Sequence, residues 1–333
     1  MAIRAVVGSR VKAYAIQQHY HQGTPSTLDL TVVSEQDLPV KGTFNDALSD
    51  YASPFHTVVH TLSTGSSEAA DCLAKFISLE SETIINFLRS IQQIAKFVRR
   101  VVIITSLTPF ARWQQVEGSS GGGFLGGQPS PATNDPQYNL ATSQAGDNIV
   151  YDAVSKWTRD SGAQFDIVYI TAPSCYGPAV RPLETSSDVS EANRRIWNIC
   201  SNEHGERLGT PPFGITHFLD VRDLALAGVR AIFASNAGNK RFLISAGTMP
   251  SGSEIAEFLV ACFPEMKGRI RTDGSPPRRN HPENLSLDLV NTHMAATILG
   301  LSEYRSAEAT LVDTAGQILD LQRRKEWKRI IQS

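Results

Sequence analysis

Short β-branched runs alternate with amphipathic stretches through the first half of the chain. Ile3 to Val7, Leu28 to Val33, Thr57 to His60, Val101 to Thr105 and Phe165 to Ile170 are apolar, brief and bounded by polar residues, the pattern of buried strands. Between them, Glu68 to Phe97 carries Leu73, Phe76, Ile77, Ile84, Phe87, Leu88, Ile91 and Ile94 at helical spacing, which predicts one long amphipathic helix. Strand, helix and strand repeated in this way imply an α/β protein, a parallel sheet with helices on both faces.

Residues 117–137 interrupt the pattern. The string Glu117-Gly118-Ser119-Ser120-Gly121-Gly122-Gly123-Phe124-Leu125-Gly126-Gly127, followed by Pro129, Pro131 and Pro136, cannot hold a helix or strand interior and is expected to be a flexible surface loop. A phosphate-cradling loop follows a strand directly and opens a helix. Here a tryptophan-containing segment precedes and prolines follow, so a lid over a nearby site is the expectation. In the second half, Asp220-Val221-Arg222-Asp223 has the form of a helix cap opening Leu224 to Ala234. Arg241 to Ser245 is read as a strand, with helices at Ser253 to Phe263 and Glu308 to Leu321. The chain is divided into a core over 1–175 and, over 176–333, a mixed substrate lobe with the remaining core elements.

With 333 residues, 41% hydrophobic and 19% charged, the chain can bury a sizeable core and is not disordered. A net charge of -2 with no long Lys/Arg run argues against nucleic acid as a partner. No apolar stretch approaches the roughly 18 residues a membrane helix needs, and Ala5-Val6-Val7 runs straight into Gly8-Ser9-Arg10 without a signal-peptide core. The cysteines Cys72, Cys175, Cys200 and Cys262 form no CxxC pair. A reduced, cytoplasmic protein without a metal is expected, and the sequon at Asn284 is read as chance.

Six strings together resemble an extended short-chain dehydrogenase/reductase, closest to the dihydroflavonol reductase, cinnamoyl-CoA reductase and fungal aldehyde/ketone reductase branch. They are Val58-Val59-His60-Thr61, Val98 to Ser106, Phe165-Asp166-Ile167-Val168, Pro173-Ser174-Cys175-Tyr176-Gly177-Pro178, Phe218 to Asp223 and Lys240 to Gly247. They occur in family order along nearly the whole chain. The resemblance implies a Rossmann-like doubly wound parallel sheet with a smaller C-terminal substrate lobe, and a homodimer.

Against that family, several elements depart. Ile3 to Ser9 matches the family's second strand, so the first strand, its glycine turn and the first helix have no counterpart. The arginine that pairs with the NADP 2′-phosphate in this branch aligns with Gly8, and Arg10 lies two residues on. Ser106 matches the serine that holds the carbonyl oxygen. Aligned on Ala145-Gly146-Asp147, the family's YxxxK motif places its tyrosine on Asn139, with Tyr138 beside it, and its lysine on Ser143. Tyr151 and Lys156 do not replace the pair, because five residues on a helix separate them by about 140°.

These departures lead to the expectation of a cofactor-free enzyme, a cyclase or isomerase such as a pericyclase, acting on a specialised-metabolite intermediate in a cleft left by the nucleotide. Catalytic candidates are Ser106, Tyr138 and Thr105, and substrate-binding candidates are His60, Leu62, Ser63, Pro173, Ser174, Tyr176 and His217. Hydrogen bonding to a carbonyl or enolate oxygen and folding of a flexible substrate would be their chemistry. An NADP-dependent carbonyl reductase and a non-catalytic pseudoenzyme are the alternatives. Lys12 to Gln22, as a helix, is a candidate to cover the sheet edge that the missing unit would expose.

Overall fold

The computed structural model describes residues 2–20, 28–49, 54–63, 72–119, 136–201, 215–267 and 293–332. Its elements run β1 (Ile3–Val7), α1 (Arg10–Tyr20), β2 (Leu28–Val32), α2 (Asn45–Leu48), β3 (Thr57–His60), α3 (Leu73–Ile94), β4 (Arg100–Ser106), α4 (Thr108–Ser119) and α5 (Pro136–Asp160). They continue with β5 (Asp166–Ala172), β6 (Ser174–Tyr176), α6 (Arg194–Ser201), β7 (His217–Asp220), α7 (Val221–Phe233), β8 (Lys240–Leu243), β9 (Gly247–Thr248), α8 (Gly252–Cys262), α9 (His293–Leu299) and α10 (Ala307–Gln332).

The main sheet is parallel throughout, in the order β3-β4-β5-β8. Strand alternation sends Val101 and Ile103 of β4 to one face, where they share a cluster with Phe76, Ile84 and Leu88 of α3 and with Val150 and Val154 of α5. Val102, with Val168 and Ile170 of β5, goes to the other face and packs against Ala227 and Ala231 of α7. Because helices cover both faces, β4 and β5 read as continuous apolar runs rather than alternating ones. Arg100 fastens α7 to this sheet. It ion-pairs with Asp166 at 2.8 Å and donates to the carbonyls of Ala231 and Ala234, at 3.0 and 2.6 Å. A third cluster, built from α6, α8 and α10 around Tyr176 and Phe218, forms the core of the later segments.

β1 and β2 pair with each other in a separate two-stranded parallel sheet, and β6-β7-β9 form a small third one. β1 is held to the rest through Arg4, which donates to the carbonyls of Ala47 and Ser49 and lies 5.1 Å from the centre of the Phe55 ring. The helix expected at Lys12 to Gln22 forms as α1, but none of its residues is buried, and Tyr14 and Tyr20 are exposed.

Two other expectations need correction. α4 runs to Ser119 and α5 begins at Pro136, so both ends of the segment read as a loop are helical. The rest of it, 120–135, lies outside the described residues. At α7 the cap is Asp220, which accepts from the Arg222 backbone N–H at 2.8 Å. Asp223 does not close a capping box; it accepts from the backbone N–H and the guanidinium of Arg305. Among the described residues no helix is long and apolar enough to cross a membrane, and no group of three or more His, Cys, Asp or Glu could hold a metal.

Candidate active site at the carboxyl end of the sheet

The parallel strands end together where β4 pairs through Ser106 with Ala172 of β5. There the Ser106 hydroxyl donates to the Pro173 carbonyl at 3.3 Å, and its oxygen accepts from the Thr108 N–H at 3.2 Å. The Thr108 hydroxyl lies 3.5 Å from that of Ser174. Ser106, Pro173 and Ser174, singled out separately in the sequence, thus meet at one strand end. The pairing of Ser174 with Phe218 puts His217 of β7 beside Pro173. Carboxyl ends of parallel strands are where open α/β sheets place their ligands.

The facing element is α5, and its burial decides which residues it presents. Asn139, Ser143, Asp147, Val150 and Val154 are all buried, one continuous helical stripe turned to the core. Tyr138 and Thr142, one turn apart, stand on the adjoining half-exposed strip. Asn139 and Ser143, aligned in sequence with the tyrosine and lysine places, thus lie on the buried stripe. The Thr142 hydroxyl donates to the Tyr138 carbonyl at 2.6 Å and carries no charge. Leu107, next to Ser106, and Leu140, two residues after Tyr138, belong to one buried cluster with Ala111 and Ile215, which draws the serine and tyrosine turns together.

Thr105 points away from Ser106, as alternation along a strand requires. Its hydroxyl donates to the Asp147 carboxylate at 3.1 Å, beneath α5. His60 is buried against Phe87, ring centres 4.9 Å apart, with neither ring nitrogen hydrogen-bonded. Burial lowers its pKa to about 4, so it is a neutral packed ring. Tyr176 is buried in the cluster of the later helices, and burial raises its phenol pKa. Leu62 packs half-buried on the main core and Ser63 is exposed. The single cleft expected from these residues is thus not assembled: Thr105, His60 and Tyr176 face packed interiors. His217 is buried and its pKa is lowered by desolvation. Burial pushes the half-buried Cys175 thiol up to about 12, away from the thiolate form a nucleophile needs.

Sequence reasoning missed Asp147, which is buried and accepts from Thr105, Tyr169 and Thr171 while ion-pairing with Arg241 of β8. The signal was present: an acid one and two turns before Val150 and Val154 on the same helical stripe is buried with them and must have partners.

No family model matches the chain. It is 23% identical to an uncharacterized oxidoreductase of Schizosaccharomyces pombe, over 98% of this chain and 91% of that protein. It is 25% identical to the ketoreductase azaE of Aspergillus niger, over 72% of this chain and 70% of the other. Among solved structures, yeast methylglyoxal/isovaleraldehyde reductase Gre2 complexed with NADPH superimposes with a TM-score of 0.68 at 18% identity, over 96% of this chain and 92% of that one. Vestitone reductase from alfalfa superimposes with a TM-score of 0.55 at 15% identity, over 98% and 91%.

NADPH is bound in such a neighbour, so the fit of these residues to it can be judged. At the carbonyl end, Ser106 closes β4 and the half-exposed Tyr138 lies near the start of α5, the two turns joined through Leu107 and Leu140. Arg10 is exposed at the start of α1, two residues after the Gly8 that aligns with the 2′-phosphate arginine. The glycine turn that meets the pyrophosphate and the ribose lysine have no counterpart in the aligned sequence, the lysine place being Ser143. The expectation of a cofactor-free cyclase or isomerase is corrected by the comparisons, in which the ketoreductase and the NADPH complex are reductases. In fold, the chain is like these reductases, with a Rossmann-like α/β core.

Proposed function

We propose that the protein is a carbonyl reductase that uses NADPH. The observation that carries this reading is the association of Ser106, at the end of β4, with Tyr138, on the half-exposed strip of α5, through the shared Leu107–Leu140 cluster. The similarity to a ketoreductase supports a ketone or aldehyde substrate, and a specialised metabolite as its source.

NADPH, when bound, supplies the hydride. The chain's own residues prepare the oxygen that must accept charge. The Ser106 hydroxyl exchanges its 3.3 Å bond to Pro173 for one to the substrate carbonyl oxygen, while the Thr108 N–H keeps the serine oxygen in place. The Tyr138 phenol donates to the same oxygen and passes it the proton as negative charge develops. Two donors aimed at one developing oxyanion form the usual device for carbonyl chemistry. Arg10 is the candidate for the nucleotide's phosphate.

The test is oxidation of NADPH or NADH by the purified chain with aliphatic aldehydes, diacetyl and β-keto esters. Turnover with NADPH that disappears in Ser106→Ala and Tyr138→Phe is expected. Saturable NADPH binding with no turnover of any probe would favour a binding protein instead, and absence of binding would overturn the proposal.

A further inference from the structure

Asp147 does more than satisfy itself in the core. It is fully buried on α5, and its carboxylate accepts from Thr105 at the end of β4 at 3.1 Å, and from Tyr169 and Thr171 of β5 at 3.0 and 2.7 Å. Arg241 of β8 ion-pairs with it and also donates to the Asn148 side chain. One carboxylate is therefore tied to three neighbouring strands of the main sheet. The guanidinium of Arg241 lies over the rings of Tyr151 and Tyr169, 5.3 and 5.8 Å from their centres, so the cation is held by packing as well as by charge.

Two of these attachments lead to the candidate site. Thr105 immediately precedes Ser106 on β4. Tyr138 lies nine residues before Asp147 on the same helix, which transmits a shift of its anchor along its axis. Because strand alternation turns Thr105 inward when Ser106 faces the site, a hydroxyl bonded to Asp147 fixes the rotation of β4 at the serine. The same carboxylate fixes how far α5 slides along the sheet. A network with every donor satisfied has one low-energy arrangement, whereas apolar contacts at these positions would allow several.

We infer that Asp147 is a positioning residue, setting the register of α5 on the sheet and with it the placement of the Tyr138 phenol relative to Ser106. The inference rests on the proposed function for its kinetic consequence, but its geometric part does not.

The experiment uses the full chain labelled with 3-fluorotyrosine, the Tyr138 resonance being assigned by its loss in Tyr138→Phe. Asp147→Asn is compared with Asp223→Asn, which breaks the distant tie to Arg305. If Asp147→Asn does not fold, Thr171→Val removes a single donor from the network. The expected result is a Tyr138 fluorine resonance that moves in the Asp147 or Thr171 variant and stays in Asp223→Asn. With diacetyl and NADPH, kcat falls by about tenfold or more with KM within roughly twofold, the cost of misplacing reacting groups by a fraction of an ångström. An unmoved Tyr138 resonance would overturn the inference, whatever the activity. A moved resonance in a chain whose wild type reduces no carbonyl would overturn the proposed function and leave the positioning intact.

Discussion

Gly146 lets the Phe110 ring lie directly on α5: a Cβ at that position would stand 2.7 Å from the ring's Cδ1. The two helices that flank the candidate site, α4 and α5, therefore approach as closely as they do because one residue has no side chain. The glycine is a packing requirement, since its backbone is ordinary helix. Gly146→Ala forces either the ring or the helix to move, and a loss of about 1–3 kcal/mol is expected from overpacking of this kind. Urea denaturation would measure it. Phe110→Leu in the same chain should recover part of the loss, because it removes the atoms that clash.

Replacement of single donors separates the parts played at the carbonyl. Removing one oxyanion donor typically lowers kcat by about 10²–10³, and Ser106→Ala should show a loss of that order, with the fold retained by circular dichroism. Thr105→Val, one residue away, should instead lower stability, because its hydroxyl bonds Asp147 and not a ligand.

Thr142 offers the converse experiment. It is one helical turn from Tyr138, so Thr142→Lys would bring an ammonium beside the phenol. A nearby cation favours the phenolate and makes the phenol a stronger acid near neutral pH. Faster NADPH-dependent reduction of diacetyl is expected, with the alkaline limb of the pH–rate profile moved to lower pH. A rate equal to that of the unmodified chain would show that Tyr138 does not act as the acid.

His60 gives the stability a definite pH dependence. Its pKa is about 4 in the folded chain against an ordinary 6.5, so below 6.5 the unfolded chain binds more protons than the folded one. Stability is complete above that value and is lost as pH falls towards 4. The group's share of the loss between pH 7.5 and pH 5 is about 2 kcal/mol. His217, whose pKa is lowered by burial, acts in the same direction. Urea midpoints at the two pH values should therefore differ less in His60→Leu than in the parent; an equal difference would place the titration elsewhere.

Thiol labelling checks the packing independently. Cys262 is exposed and Cys200 is buried, while burial holds the Cys175 thiol near 12. Iodoacetamide at pH 8 is expected to modify Cys262 first and to reach Cys175 and Cys200 only after denaturant is added, read by mass spectrometry of the digests.

Much of the architecture follows from the chain's own pattern. β-branched runs such as Val101 to Thr105 have little choice but to be buried strands, and the helical recurrence from Leu73 to Ile94 admits one reading, because these signals are local. The match of Ser106 to a carbonyl-holding serine was legible for the same reason: it ends a strand recognisable from its neighbours. The frame of α5 was not. Asn139 with Ser143 and Tyr138 with Thr142 have identical spacing, and nothing local ranks one helical face above the other. Packing against Phe110 and the anchoring of Asp147 by three strands chose which face is buried, and so left Tyr138 half-exposed. His60, Thr105 and Tyr176 misled for a related reason. A polar side chain at a strand end looks the same in sequence whether it faces a ligand or a packed interior, and only the elements laid over it, α3, α5 and the later helices, decide which.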